Sequence, residues 1–273
     1  MWEKTTKANL PLKQWMQEYE CSFLGTGDTY VNGEVLQQIA SEVSEDYYIK
    51  YNNRMRIWQD PKPFYSYIIS CDTSLGRDRD YSAFHVINMY NGQQVAEFYS
   101  NRTPINDFAK IIAAEGMLYN VASVICERNT IGNNLIDWLY NIYEYENLWY
   151  DDKDEIGFQV TAQNRETILA DLEEALRTDV IKINSIRTCD ELMTFIIAQG
   201  GKPKAEKGKH DDLIMSLALA IHGYKNLLDT TPIEHVAKIP HKESPPMPSK
   251  MTKATLKTAY GGVTKEDLKW LMK

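Results

Sequence analysis

An apolar run, Tyr67-Ile68-Ile69-Ser70-Cys71, stops on a carboxylate, Asp72. After a polar turn around Gly76, a second apolar run, Ala83-Phe84-His85-Val86-Ile87, is entered past another carboxylate, Asp80. Short apolar runs bounded by Gly and Asp read as the two strands of a hairpin with acid at its mouth. Tyr90-Asn91-Gly92-Gln93 supplies a further turn and Val95-Ala96-Glu97-Phe98-Tyr99 a third strand, which makes a meander. An acid at the end of a central strand is poorly placed for packing and well placed to hold a metal. The competing reading makes Asp72 the start of an Asx-turn and leaves Asp80 to solvate the loop.

Two later segments repeat the pattern. Val121-Ala122-Ser123-Val124-Ile125-Cys126 ends on Glu127 and passes through Arg128, Asn129 and Gly132 into a helix. Asp211 and Asp212, preceded by His210, open a helix that is apolar nearly all round. Two carboxylates ~4 Å apart repel by ~4 kcal/mol at an effective dielectric of ~20, so a convergent set of acids needs cations between its members. Hard oxygen donors suit Mg²⁺ or Mn²⁺. At helical spacing Asp211 shares a face with Ile214, Met215 and Ala218, and Asp212 with Met215, Ser216 and Leu219. Either acid can therefore face the sheet; Asp211 is favoured as the third ligand, with Asp212 as a nearby helix N-terminal charge. His210 reads as a proton donor, a phosphate ligand or a helix cap.

The remaining elements fix the class. Thr103-Pro104 opens a helix with Phe108, Ile111, Ile112 and Leu118 on one face. A helix from about Ile131 to Tyr143 carries Leu135, Trp138, Leu139 and Ile142. Tyr143 to Gly157 reads as an exposed, acidic, aromatic loop or hairpin. Thr161 caps a helix with Ile168, Leu169, Leu172 and Leu176, Val180 to Ile183 reads as a short strand, and Asp190 to Ala198 as a helix packing through Leu192, Phe195 and Ile196. A meander followed by alternating strands and helices gives an α/β chain, a mixed sheet flanked by helices.

Net charge is −8 over 273 residues, which opposes a nucleic-acid reading globally. A local basic groove still holds phosphates, and Lys202, Lys204, Lys207 and Lys209 crowd directly before the Asp211 helix. The alternative for this run is a solvated loop. Arg128 and Asn129, at a helix entry, are placed to receive a phosphate on guanidinium and backbone N–H. Four cysteines, Cys21, Cys71, Cys126 and Cys189, lack paired metal spacing. Cys71 and Cys126 each precede a candidate ligand, so strand alternation turns them to the opposite face as packed thiols. No run has the length of a membrane helix, and Met1-Trp2-Glu3-Lys4 lacks the layout of a signal peptide.

Asp72 with Asp80, Glu127 with Asn129 and Gly132, and the His210-Asp211-Asp212 helix start resemble the nuclease domain of tailed-phage large terminase subunits. The resemblance covers roughly residues 60 to 228. It implies an RNase H-like fold with a three-stranded antiparallel meander plus parallel strands. It also implies a metal-dependent endonuclease that cuts double-stranded DNA during genome packaging by two-metal phosphodiester hydrolysis, with little sequence preference. Catalysis falls to Asp72, Glu127 and Asp211, and two Mg²⁺ or Mn²⁺ ions to Asp72, Asp80, Glu127, Asp211 and Asp212.

The implied domains are an extension over 1–60 continuing from the motor, the nuclease over 61–228, and a Pro/Lys-rich tail over 229–273 ending in a short helix suited to docking. No G-x-x-x-x-G-K-[ST] loop occurs, so the ATPase motor is expected to lie outside this chain. Implied partners are double-stranded DNA, the terminase ATPase domain, the portal protein and the small terminase subunit, in the host cell cytoplasm with no membrane. Rival readings are a Holliday-junction resolvase or transposase of the same fold, an actin-like phosphotransferase, for which a second glycine-rich loop is missing, and a catalytically silent module that docks to portal or motor.

Overall fold

A computed structural model of the chain describes residues 29–76 and 80–230. Cys21, residues 77–79 and the expected tail with its terminal helix lie outside the described residues. In chain order the elements are α1 (Gly33–Glu42), β1 (Tyr48–Lys50), β2 (Met55–Ile57), β3 (Tyr67–Asp72), β4 (Ser82–Asn88), β5 (Gln94–Ser100) and α2 (Ile105–Leu118). There follow β6 (Ser123–Cys126), α3 (Thr130–Asp137), α4 (Ala162–Arg177), α5 (Ile186–Met193), β7 (Phe195–Ile197), β8 (Pro203–Ala205) and α6 (Asp212–Thr230).

Six strands form one sheet in the order β1-β2-β5-β4-β3-β6, with β6 parallel to β3 and the other neighbours antiparallel. The meander read from residues 66–100 is its centre. Gly92, at φ +68°, makes the β4–β5 turn, a conformation that favours glycine.

Side-chain alternation divides the two cores. Ile68, Ile87 and Ile125 point to one face and pack against Leu169 and Leu172 of α4 and Leu217 and Ile221 of α6. Ile69, Cys71, Phe84, Val86, Phe98 and Cys126 point to the other and pack against Phe108 and Ile112 of α2 and Leu135 of α3. Each such side chain contributes roughly 1.5–3 kcal/mol by burial, so both faces hold the sheet. Helix α6 is keyed to the sheet by polar contacts as well. The Ser216 hydroxyl donates to the Ser70 carbonyl at 2.8 Å, and His85 Nε2 lies 3.0 Å from the Leu213 carbonyl.

Several expectations change. Residues 29–60 do not stand apart: β2 pairs with β5 (Arg56↔Glu97) and β1 with β2, so the sheet extends across the boundary placed at residue 60. The helix expected over Asp190–Ala198 ends at Met193, and Phe195–Ile197 becomes β7, paired with β8 (Phe195↔Ala205). The run Leu192, Phe195, Ile196 satisfies helical spacing equally well, which is why periodicity misassigns it. The lysine run is therefore partly strand, with Lys204 in β8. Val180–Ile183 forms no strand and makes only a single bridge, Gln93↔Lys182. The helix after Glu127 turns into a π-helical turn over Trp138–Ile142. Tyr145, Leu148 and Trp149, expected in an exposed loop, are buried, because Leu148 bridges to Val124 along the outer edge of β6.

Candidate active site

Strands β3 and β6 run parallel with Cys71 opposite Cys126, so Asp72 and Glu127, the next residues, emerge at the same end of the sheet. The Glu127 amide donates to the Cys71 carbonyl at 3.1 Å. The thiols Cys71 and Cys126 are fully buried on the opposite face, as alternation requires. Glu127 is then held from behind. The Asn129 side-chain oxygen caps α3, accepting from Ile131 at 3.0 Å and Gly132 at 2.7 Å. Gly132 sits so close that a Cβ there would stand 1.8 Å from the Glu127 carbonyl oxygen.

The third element brings Asp211 and Asp212. Asp211 precedes α6, its carbonyl accepting from the Met215 amide at 2.8 Å, and its Oδ2 receives Arg165 Nη2 at 2.8 Å. Asp212 is the first residue of α6. Its Oδ2 is buried without a hydrogen bond, 3.5 Å from His210 Nδ1. Burial first, then the charges of Asp211 and Asp80, push the Asp212 carboxyl up to about 7.

Asp72 is raised well above the carboxylate range by burial, by the Glu127 and Asp212 charges, by a hydrogen bond shared with Glu127, and by Asp211. Glu127 is raised by burial, against hydrogen bonds from Asp72 and Asn129 and the Arg165 charge. The structure therefore puts Asp72, Glu127, Asp211 and Asp212 in one electrostatic field, with the exposed Asp80 bearing on Asp212.

Sequence reading missed four members of this neighbourhood. Glu191 of α5 is buried; its Oε2 accepts the Leu213 and Ile214 amides and its Oε1 accepts the Tyr99 hydroxyl at 2.9 Å. Burial and the Asp212 charge raise it to about 8 against the pull of these hydrogen bonds. Tyr99 stacks flat on Tyr81, with ring centres 4.0 Å apart, and the Tyr81 ring meets the edge of His210 at 4.9 Å. Arg165 of α4 reaches Asp211 and also donates to the Pro203 carbonyl at 2.8 Å. Glu191 carried one sequence signal, an acid beside Leu192 on a packing helix; Arg165 looked like part of a helix cap.

The phosphate candidates divide. The Arg128 guanidinium is engaged by Asp151 and Glu155, each at 2.8 Å, and the Asn129 oxygen is spent on the α3 cap. Lys202, Lys204, Lys207 and Lys209 are all exposed.

Among the described residues, no three acid, His or Cys side chains are grouped as they would be around a metal ion; Asp211 is paired with Arg165. The donor set still fits a hard divalent cation. It consists of carboxylate oxygens, one of them a buried Asp212 oxygen that accepts nothing, in a field that a cation would relieve.

No protein-family model matches the chain. Among solved structures, the large terminase nuclease of thermophilic phage G20c with bound magnesium matches at a TM-score of 0.57 and 20% identity, over 69% of this chain and 96% of that one. The same nuclease with bound cobalt gives 0.57 and 21%, with the same coverage. The large terminase nuclease domain of Thermus phage P74-26 gives 0.54 and 21%, over 68% and 93%. At this identity the likeness establishes the fold: the mixed sheet and its flanking helices have the RNase H-like arrangement of large terminase nuclease domains.

Proposed function

We propose that the chain is a metal-dependent endonuclease that hydrolyses the backbone of double-stranded DNA during phage genome packaging. The observation that carries this reading is the emergence of Asp72 and Glu127 at one end of the β3–β6 pair, with the charges of Asp211 and Asp212 bearing on Asp72, in a fold shared with a nuclease crystallised with magnesium.

Asp72, Glu127 and the Asp211–Asp212 pair would hold two Mg²⁺ or Mn²⁺ ions, with Asp80 contributing from the neighbouring strand. When bound, such ions supply an activated water and stabilise the leaving oxygen. The chain's own residues do the rest. Asp72 and Glu127 present carboxylate oxygens from two adjacent strand ends. Asp212, with an oxygen unspent inside the protein, is the better placed of the pair to face a cation; Asp211 is held by Arg165. Lys202, Lys204, Lys207 and Lys209 would contact backbone phosphates, which gives affinity without base reading. Lys204 lies beside Pro203, whose carbonyl is joined through Arg165 to Asp211, so the basic hairpin is coupled to the acids.

The family reading extends to the ATPase motor, portal protein and small subunit as partners in the host cytoplasm, with residues 61–228 as the catalytic region and 229–273 as a docking tail. No helix among the described residues is long and apolar enough to cross a membrane.

The test is supercoiled plasmid incubated with the chain in EDTA, Mg²⁺ or Mn²⁺, beside Asp72→Asn. Nicking that needs metal and disappears in the variant supports the reading. An Asp72→Asn protein as active as wild type would overturn it, and a chain inert under all three conditions would favour the docking-module reading.

A further inference from the structure

Arg165 places a guanidinium against the candidate acids. Nη2 donates to Asp211 and Nη1 to the Pro203 carbonyl, both at 2.8 Å. The guanidinium carbon lies 5.8 Å from the centre of the Phe195 ring, and the charge is felt at Glu127. Two of these contacts, Pro203 on one edge and Phe195 beneath, involve no anion and fix the side chain to the β7–β8 hairpin. The third, to Asp211, is a part-buried ion pair with side chains 27% and 35% exposed, open enough for solvent to reach it. Solvent-exposed pairs are worth about 1 kcal/mol or less, and a pair this accessible can still change partner when a competing charge arrives.

A guanidinium carries five donors in a rigid fork, so one nitrogen can change partner while the other stays on Pro203. A divalent cation among the acids would compete for Asp211 and repel Arg165, leaving the fork without its anion. The nearest anion that catalysis would bring is a phosphate of the DNA strand. Arg128 is less well placed: Asp151 and Glu155 share its Nη2, and its Nη1 is buried without a partner.

We propose that Arg165 is a phosphate-binding residue that exchanges its partner: it pairs with Asp211 when no divalent cation is bound, and with a DNA backbone phosphate when the acids hold cations. This rests on the endonuclease reading and adds a residue to it. The exchange makes tight DNA binding conditional on metal, since the same guanidinium is otherwise occupied.

The experiment measures binding of a labelled short DNA duplex by anisotropy in EDTA and in Ca²⁺, for wild type, Arg165→Gln and Arg165→Lys, with melts to confirm folding. Arg165→Gln should weaken binding about tenfold in Ca²⁺ and less than about twofold in EDTA, since a charge-assisted phosphate contact is lost only in the first. The slope of log affinity against log salt should fall by about 0.9 in Ca²⁺ alone. Arg165→Lys should restore that slope while binding more weakly than wild type, because lysine lacks the fork. Calorimetry without DNA should show Ca²⁺ bound at least as tightly by Arg165→Gln as by wild type.

Equal losses in EDTA and Ca²⁺, or none in Ca²⁺, would overturn the exchange. Should Arg165→Gln not fold, Arg165→Lys decides: full wild-type affinity in Ca²⁺ counts against a fork-held phosphate. Wild type that cuts plasmid while Arg165→Gln binds DNA normally removes this assignment alone, whereas wild type that neither binds nor cuts removes the nuclease reading itself.

Discussion

Glu191 Oε2 stands 2.9 Å from the Leu213 amide nitrogen, 22 residues further along the chain. The same oxygen takes the Ile214 amide at 3.3 Å. The first amides of a helix have no partner within it, and here the carboxyl of Glu191 from α5 supplies one. The position of Asp212 therefore depends on a joint between two helices.

Removing that joint should be costly. Glu191→Ala leaves buried amides and the Tyr99 hydroxyl without their acceptor, and should lower unfolding free energy in urea by about 2–3 kcal/mol. Glu191→Gln keeps an acceptor for the amides and should stay within about 1 kcal/mol of wild type. The metal concentration needed for half-maximal plasmid cutting should rise in the alanine variant and barely move in the glutamine one.

Stability should fall with pH on the neutral-to-alkaline side when no metal is added. In the folded chain Asp212 and Glu191 titrate at about 7 and about 8, against ordinary values of 3.8 and 4.5. Their folded-state pKa values are raised, so above the ordinary values the folded chain binds more protons than the unfolded one, and stability declines as pH climbs through the folded values. The buried His85 and His222, both lowered, act with the opposite sign, but only below about pH 6.5, where a free imidazole gains its proton. Between about pH 6.5 and 8.5 the acids decide the slope. Thermal melts across that window should drop steadily in EDTA and flatten with Mn²⁺. A flat profile in EDTA would show that these acids do not share a buried field.

Gly132→Ala should damage both fold and site. The added Cβ would meet the Glu127 carbonyl at 1.8 Å, which is backbone and cannot swing aside. Overpacking of this kind costs roughly 1–3 kcal/mol or more, and the movement that relieves it displaces Glu127. A melt should show the loss, and cutting should fall further than the change in stability alone predicts.

Arg128 and the hairpin lysines should separate cleanly. Arg128→Gln breaks ion pairs to Asp151 and Glu155 and should leave the salt dependence of DNA binding unchanged. Lys204→Ala with Lys207→Ala should reduce that slope by up to about 1.8, or 0.9 for each phosphate contact removed. Anisotropy titrations at several salt concentrations distinguish the two results.

What could be read in the sequence follows the range over which each signal acts. The placement of Asp72 and Glu127 at strand ends was legible because each closes an apolar run, a local pattern, and their thiol neighbours could be turned away by alternation alone. The fold class followed from the order of strands and helices. The β7–β8 hairpin was not legible, because Leu192, Phe195 and Ile196 fit a helix until Pro203–Ala205 arrives to pair with Phe195–Ile197. Glu191 and Arg165 were hidden for a different reason: their partners at Leu213 and Asp211 are 22 and 46 residues away, and no local periodicity reports such a contact. The Asp211–Asp212 ambiguity came from a helix apolar on every side, and only Arg165 and the unspent Asp212 oxygen distinguish the two.

The pairing of Cys71 with Cys126 across parallel strands bears on how such a chain can vary by descent. Because side chains alternate with a period of two, deleting Tyr67 from β3 would carry Asp72 into the place of Cys71, on the thiol's face, and turn Ile68 and Ile69 to the wrong cores. Replacement of one apolar residue by another is tolerated there, and a change of length is not. Insertions and deletions should therefore accumulate in the connections and be absent from β3 and β6, and deletion scanning through residues 67–72 should yield no partly active intermediates, only loss of fold and activity together.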